Sequence, residues 1–197
     1  MKIIGITGGV GSGKTEVLRY LQQSFGAKVY QADMIAHDLQ KQGQPCYERI
    51  VSCFGKQILT NEGNIDRAIL GNIVFADSNQ RLRLNALVHP LVKEKIQFYI
   101  RKEKQLKTQL FVLEAALLIE DDYGTMCDEL WYIYAEESIR RMRLEKNRNY
   151  NSKKIDAIIS AQLPETVFRS KCNRVIDNSQ TFQNTCQQIE EVMYEIM

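Results

Sequence analysis

No stretch of the sequence is apolar for long enough to span a bilayer, and the N-terminus runs straight into a short apolar segment without a signal peptide. A soluble, cytoplasmic chain with no membrane partner is the expectation. An excess of either charge is lacking too. The 26 Lys and Arg face 24 Asp and Glu, a net charge of +2, which argues against a dedicated nucleic-acid binder. Histidine is scarce. His37 and His89 stand at no ligand spacing from any cysteine, which argues against a zinc site. The cysteines, at 46, 53, 127, 172 and 186, are odd in number and form no C-x-x-C pair, so they read as reduced thiols. Repeats, low-complexity tracts and linkers are absent. A chain of 197 residues is long enough for one domain with a full core, and 44% apolar content can fill it.

What is present starts at the eighth residue. Gly8-Gly9-Val10-Gly11-Ser12-Gly13-Lys14-Thr15 fits G-x-x-x-x-G-K-[ST], the phosphate-binding P-loop. The segment Lys2 to Thr7 before it is of strand type, and Val17, Leu18 and Leu21 after it recur at helical spacing. Glycines let successive N–H groups turn toward phosphate oxygens, and a helix starting near Gly13 adds its positive end. Lys14 can bridge the β- and γ-phosphates of ATP, and the Thr15 hydroxyl can ligate Mg²⁺. The loop alone leaves the reaction open, because kinases, GTPases and motors share it.

Beyond the loop, residues 27–31 read as a second strand ending at Ala32-Asp33. From about Asp38 to Gln105 the pattern is helical. Pro45 starts a helix that Gly55 ends, residues 61–64 make a turn, Asp66 caps a helix, and Ser78 caps another. His89-Pro90 should interrupt that last one, with a further helix from Leu91 to about Lys104. Strands are expected at 110–114, 130–134 and 174–177, and helices at about 136–148, from a Ser152 cap to 162, and at 182–196. The fold class is α/β. It is a P-loop kinase-like parallel sheet of about five strands with helices on both faces and a helical insertion over 38–105.

Several charged groups suit phosphoryl transfer. Asp33, at a strand's carboxyl end, reads either as a general base or as a helix N-cap. Glu114 ends an apolar strand, where it could reach Mg²⁺ through a water or make a structural ion pair. Arg140, Arg141, Arg143, Lys146 and Arg148 crowd one helix, as a lid over the migrating phosphoryl group or as a solvated face. By helical geometry Arg141 lies with Arg140 and Arg148, while Arg143 points roughly 160° from Arg141. Arg141 and either Arg140 or Arg148 are therefore expected to face the nucleotide, and Arg143 to face solvent or the lid's second helix. The insertion carries eleven Lys or Arg against seven Asp or Glu, which suits an anionic acceptor. His89 reads equally as a packed or a ligand-contacting side chain.

Several stretches together resemble the dephospho-CoA kinases. They are the opening from Ile4 to Lys14, Ala32-Asp33 with Ile35-Ala36, and Gly63 with Ile65-Asp66-Arg67. They continue with Leu84-Asn85 ahead of His89-Pro90, Leu117-Leu118 with Glu120, and residues 175–178. The order and spacing hold over nearly the whole chain. The resemblance implies transfer of the ATP γ-phosphate to the ribose 3′-hydroxyl of dephospho-CoA, with Mg²⁺, as the last step of coenzyme A synthesis. It implies Asp33 as the base, with Lys14 and Arg141 beside it in catalysis. ATP contacts fall on Gly9, Gly11, Ser12, Gly13, Lys14, Thr15, Glu16, Arg140, Arg148 and Asn178. The acceptor falls to Arg67, His89, Pro90, Leu117 and Glu120, and the metal to Thr15 and Glu114. The resemblance makes the insertion over 38–105 the CoA-binding part and residues 139–171 the lid. A monomer or weak homo-oligomer is expected.

The sequence also departs from the family. Ala116 stands where Pro is usual before Leu-Leu, and Glu114 replaces an Asp. The family's second lid arginine, four residues after Arg141, falls on Glu145. The competing readings are a nucleoside or nucleotide kinase and a nucleotide-sensing NTPase. For a GTPase, the guanine-reading N-K-x-D is missing at Asn147-Arg148-Asn149-Tyr150.

Overall fold

The computed structural model describes residues 1–196 and divides them into two compact units, residues 31–102 and the remainder. The larger unit is an α/β sandwich. Its five strands are β1 (Lys2–Thr7), β2 (Lys28–Gln31), β3 (Leu110–Glu114), β4 (Glu129–Tyr134) and β5 (Arg174–Asp177). They lie in the order β2-β3-β1-β4-β5. β1 is central and parallel to both neighbours, with Ile6 opposite Glu114 of β3 and Trp131 of β4. All five residues of β3 are buried, which is why it reads in sequence as an unbroken apolar run.

Helix α1 (Lys14–Phe25) and the closing helix α9 (Phe182–Ile196) cover this sheet. Val17 and Leu21 of α1 and Ile189 and Met193 of α9 join Ile4, Ile6, Trp131 and Ile133 in one core. Gly26 closes α1 in the left-handed region, at φ +64°. After β4 come α6 (Glu137–Arg148), α7 (Ser152–Ser160) and α8 (Glu165–Lys171). Asn151, not Ser152, caps α7, accepting from the Lys154 amide at 2.9 Å. The Asn amide reaches the third backbone N–H from one position further out.

The smaller unit is helical, as its sequence pattern requires. It contains α2 (Ala32–Leu39), α3 (Pro45–Phe54), α4 (Arg67–Ala76) and most of α5 (Ser78–Gln105). Pro45 opens α3, and Gly55 follows its end. Asp66 caps α4 through the amides of Ala68 and Ile69, at 2.8 and 3.1 Å. A single antiparallel bridge, Leu59 to Ile65, closes the turn in front of it.

Two expectations fail in α5. Its cap is Asp77, which accepts from the Asn79 amide at 2.8 Å, and Ser78 is already helical. The helix also runs unbroken through Pro90. Proline removes one backbone hydrogen bond, but Val88, Val92, Ile96 and Ile100 form a buried stripe at every fourth position across it. Burial of that stripe outweighs the lost bond. All five cysteines are free thiols, and no described helix is long and apolar enough to cross a membrane.

Candidate active site

β1 ends at Thr7 and the chain turns through Gly8–Gly13 into α1, whose N-cap is Gly13 at φ +90°. Only glycine fits there. The conformation is left-handed, and a Cβ would run into the Asn178 side chain. The same holds at Gly11 (φ +85°), where a Cβ would lie 2.9 Å from the Arg140 carbonyl oxygen.

Every backbone carbonyl from Gly8 to Gly13 accepts a hydrogen bond from this chain. Lys14 Nζ donates to Gly8 O at 2.6 Å, and the Ser12 amide to Gly9 O at 3.1 Å. Arg140 Nε donates to Val10 O at 3.0 Å. Arg143 Nη1 donates to Gly11 O at 3.4 Å and to Ser12 O at 3.3 Å. Asn178 Nδ2 also reaches Ser12 O, at 2.8 Å, and the Glu16 and Val17 amides reach Gly13 O. With its oxygens held this way, the loop turns its N–H side toward a ligand, at the positive end of α1. The Ser12 hydroxyl is buried and lacks a partner among the described residues, so it too awaits an acceptor. The arrangement is an anion site built for phosphate oxygens.

Asn178 ties the loop to β5 and α9. It is 1% exposed and its amide donates to Tyr134 O at 2.8 Å. Its Oδ1 accepts from Thr185 Oγ1 at 2.8 Å, and its carbonyl accepts from Arg143 Nη2 at 2.9 Å.

The lid arginines are not arranged as the sequence suggests. Arg143, expected to face solvent or the lid's second helix, turns to the loop, because three residues along a helix from Arg140 is nearly the same face. Arg141, expected over the nucleotide, is bound to Glu137 Oε1 at 2.8 Å and Asp156 Oδ1 at 2.7 Å. These two carboxylates hold its guanidinium above its ordinary pKa. Arg148 lies against Tyr150, whose phenol it helps pull below the usual value. Of Arg140 and Arg148, the two alternatives for Arg141's companion, Arg140 meets the loop through Val10 O, with its Nη2 on Gln162 Oε1.

Glu114 is 7% exposed at the end of β3, and Thr15 stands exposed in the first turn of α1. A hydroxyl at the start of α1 and a mostly buried carboxylate at the end of β3 are oxygen donors of the kind a hard cation such as Mg²⁺ takes. Leu117 and Glu120 are exposed in the turn after β3, and Glu16 is exposed on α1. In the smaller unit Asp33 is the second residue of α2 and is exposed. The N-cap there is Gln31, with no side-chain cap bond, so the capping reading of Asp33 does not hold. Arg67 is the first residue of α4 and is exposed, while His89 is half-buried and Pro90 exposed on α5. Thr185 was missed by sequence reasoning, and a lone helical threonine carries no signal of such a role.

A sequence profile of the dephospho-CoA kinases matches residues 2–184. The chain belongs to the dephospho-CoA kinase family. It is an ATP-dependent kinase that phosphorylates a hydroxyl. The dephospho-CoA kinase of Carboxydothermus hydrogenoformans is 37% identical over 193 residues, covering 98% of this chain and 93% of its own length. A solved structure from Thermus thermophilus superposes with a TM-score of 0.84 at 26% identity, covering 100% of this chain and 98% of its own. The dephospho-CoA kinase of Campylobacter jejuni gives a TM-score of 0.72, also at 26% identity, over 100% of this chain and 98% of its own.

Proposed function

We propose that the chain transfers the γ-phosphate of ATP to the ribose 3′-hydroxyl of dephospho-CoA, giving coenzyme A and ADP in the cytoplasm. One observation carries the nucleotide half of this reading: all six loop carbonyls are held, so the loop meets phosphate as a set of donors before any nucleotide arrives. Such preorganised dipoles stabilise charge without rearranging during the reaction. Family membership supports the acceptor.

In the step itself, the acceptor oxygen forms a bond to Pγ as the bond from Pγ to the β,γ-bridging oxygen breaks, and ADP leaves. The acceptor proton passes to Asp33. Lys14 exchanges Gly8 O for the β- and γ-phosphate oxygens. Thr15 and Glu114 would hold Mg²⁺, which when bound neutralises phosphate charge. Arg67 and His89, on the basic helical unit, are the acceptor's contacts.

The test is ADP formation with and without dephospho-CoA, beside adenosine, cytidine and their monophosphates. ADP should appear with dephospho-CoA in equal amount to coenzyme A, and only slowly with the others. Comparable turnover of a nucleoside, or hydrolysis indifferent to any acceptor, rejects the proposal.

A further inference from the structure

We infer that the helical unit holds a diphosphate-binding site between the end of α2 and the start of α4. A cavity of about 260 Å³ lies there, lined by His37, Gln40, Lys41, Asn64, Ile65 and Arg67. Five of these six side chains are hydrogen-bonding groups, three of them able to carry positive charge, and none is acidic. The two acids nearest in sequence are already engaged. Asp66 caps α4, and Asp38 meets Lys41 Nζ at 2.6 Å in an exposed pair. An exposed pair of this kind contributes little, so Lys41 can turn to a stronger anion.

A second observation points to a ligand. His37 Nδ1 is buried and has no hydrogen-bond partner among the described residues. A buried ring nitrogen left without a partner is costly, and a phosphate oxygen or a bound phosphate's proton would supply one. Arg67, as the first residue of α4, also sits at that helix's positive end.

The class of ligand follows from size and lining. A water takes about 30 Å³, so the cavity has room for roughly nine, enough for the nine heavy atoms of a diphosphate. A nucleobase would need a flat apolar or aromatic wall, and Ile65 is the only apolar side chain lining the cavity. Cationic groups drawn from two separate elements suit a ligand with several negative oxygens better than a single carboxylate. The inference rests on the proposed function, since dephospho-CoA joins its adenosine and pantetheine halves through a diphosphate. It assigns that group to His37, Lys41 and Arg67.

The test is calorimetric titration of inorganic pyrophosphate into the full chain with its P-loop filled by a saturating non-hydrolysable ATP analogue. One equivalent should bind. Lys41→Met and His37→Leu should each weaken it about tenfold or more, and His37→Asn, which keeps a polar nitrogen, should weaken it less. The KM for dephospho-CoA should rise in parallel while the KM for ATP stays put. The inference is overturned if pyrophosphate does not bind the filled chain, if orthophosphate binds as tightly, or if neither Lys41→Met nor His37→Leu matters while thermal melts show them folded. Turnover of dephospho-CoA with unchanged KM in both variants overturns this inference and leaves the function standing. Absence of turnover in the unaltered chain removes the function, and the pyrophosphate titration still decides the cavity.

Discussion

Asp33 has no capping duty. Strand β2 runs directly into α2, so the N-cap position falls on Gln31, and the carboxylate two positions later is left exposed. Replacing it with Asn keeps size and polarity and removes only the ability to take a proton. Asp33→Asn should therefore keep its melting temperature and its ATP affinity while kcat falls by about 10²-fold or more. Quenched-flow turnover and calorimetry on the same sample check this. A drop in stability with normal rate per folded molecule would make the residue structural. At this scale the sequence was most readable where chemistry imposes spacing. Lys14 and Thr15 could be named from the glycines around them. Asp33 could not be decided from its neighbours, because both its readings put an acid after a strand, and only the lack of any gap between β2 and α2 separates them.

Helix α6 carries the largest difference between expectation and structure. Angles taken from Arg141 put Arg143 on the far side of the helix, but the face that matters is the one toward the loop, which Arg140 and Arg143 share. Arg143→Ala removes the guanidinium from Gly11 O, Ser12 O and Asn178 O together. It should lower kcat/KM for ATP by roughly tenfold, through a loop whose N–H groups no longer hold their aim. Arg141→Ala breaks only solvent-screened pairs with Glu137 and Asp156, and should leave that ratio within about twofold. Steady-state kinetics at varied ATP ranks the two, and the reverse order would show that Arg141 leaves Asp156 for the nucleotide. Helix wheels give angles between residues on one element, but which face meets the loop depends on how α6 leaves β4. The same limit explains α5. Pro90 is a breaker by local rules, and the buried stripe that overrides it lies on both sides of the break.

Across the molecule, burial leaves a mark on alkaline stability. Desolvation pushes the Cys127 thiol up to about 12, helped by the charge of Asp128, and Cys172 up to about 11. Thiols harder to ionise when folded than when unfolded contribute fully below about pH 9 and lose that contribution as pH rises toward 11 or 12. Urea midpoints should therefore fall above pH 9, and Cys127→Ser, which does not titrate there, should make the fall shallower. Identical slopes would show that the thiol ionises freely. The strands of this fold were legible because buried parallel strands are continuous apolar runs. Their order was not, since nothing in β1 says which neighbour lies on which side. Nor could the sequence show that the oxygens of residues 8–13 are all taken, because their donors come from residues up to 166 positions away. In the language of separation chemistry, that loop is an anion exchanger whose cation-exchanging half is blocked. An ordinary backbone turn offers both signs to dissolved ions. Here potassium and sodium meet carbonyls already engaged, while sulfate and phosphate meet open N–H groups. The salt accompanying the protein thus acts through its anion: exchanging chloride for sulfate shifts the apparent affinity for ATP, and exchanging sodium for potassium does not.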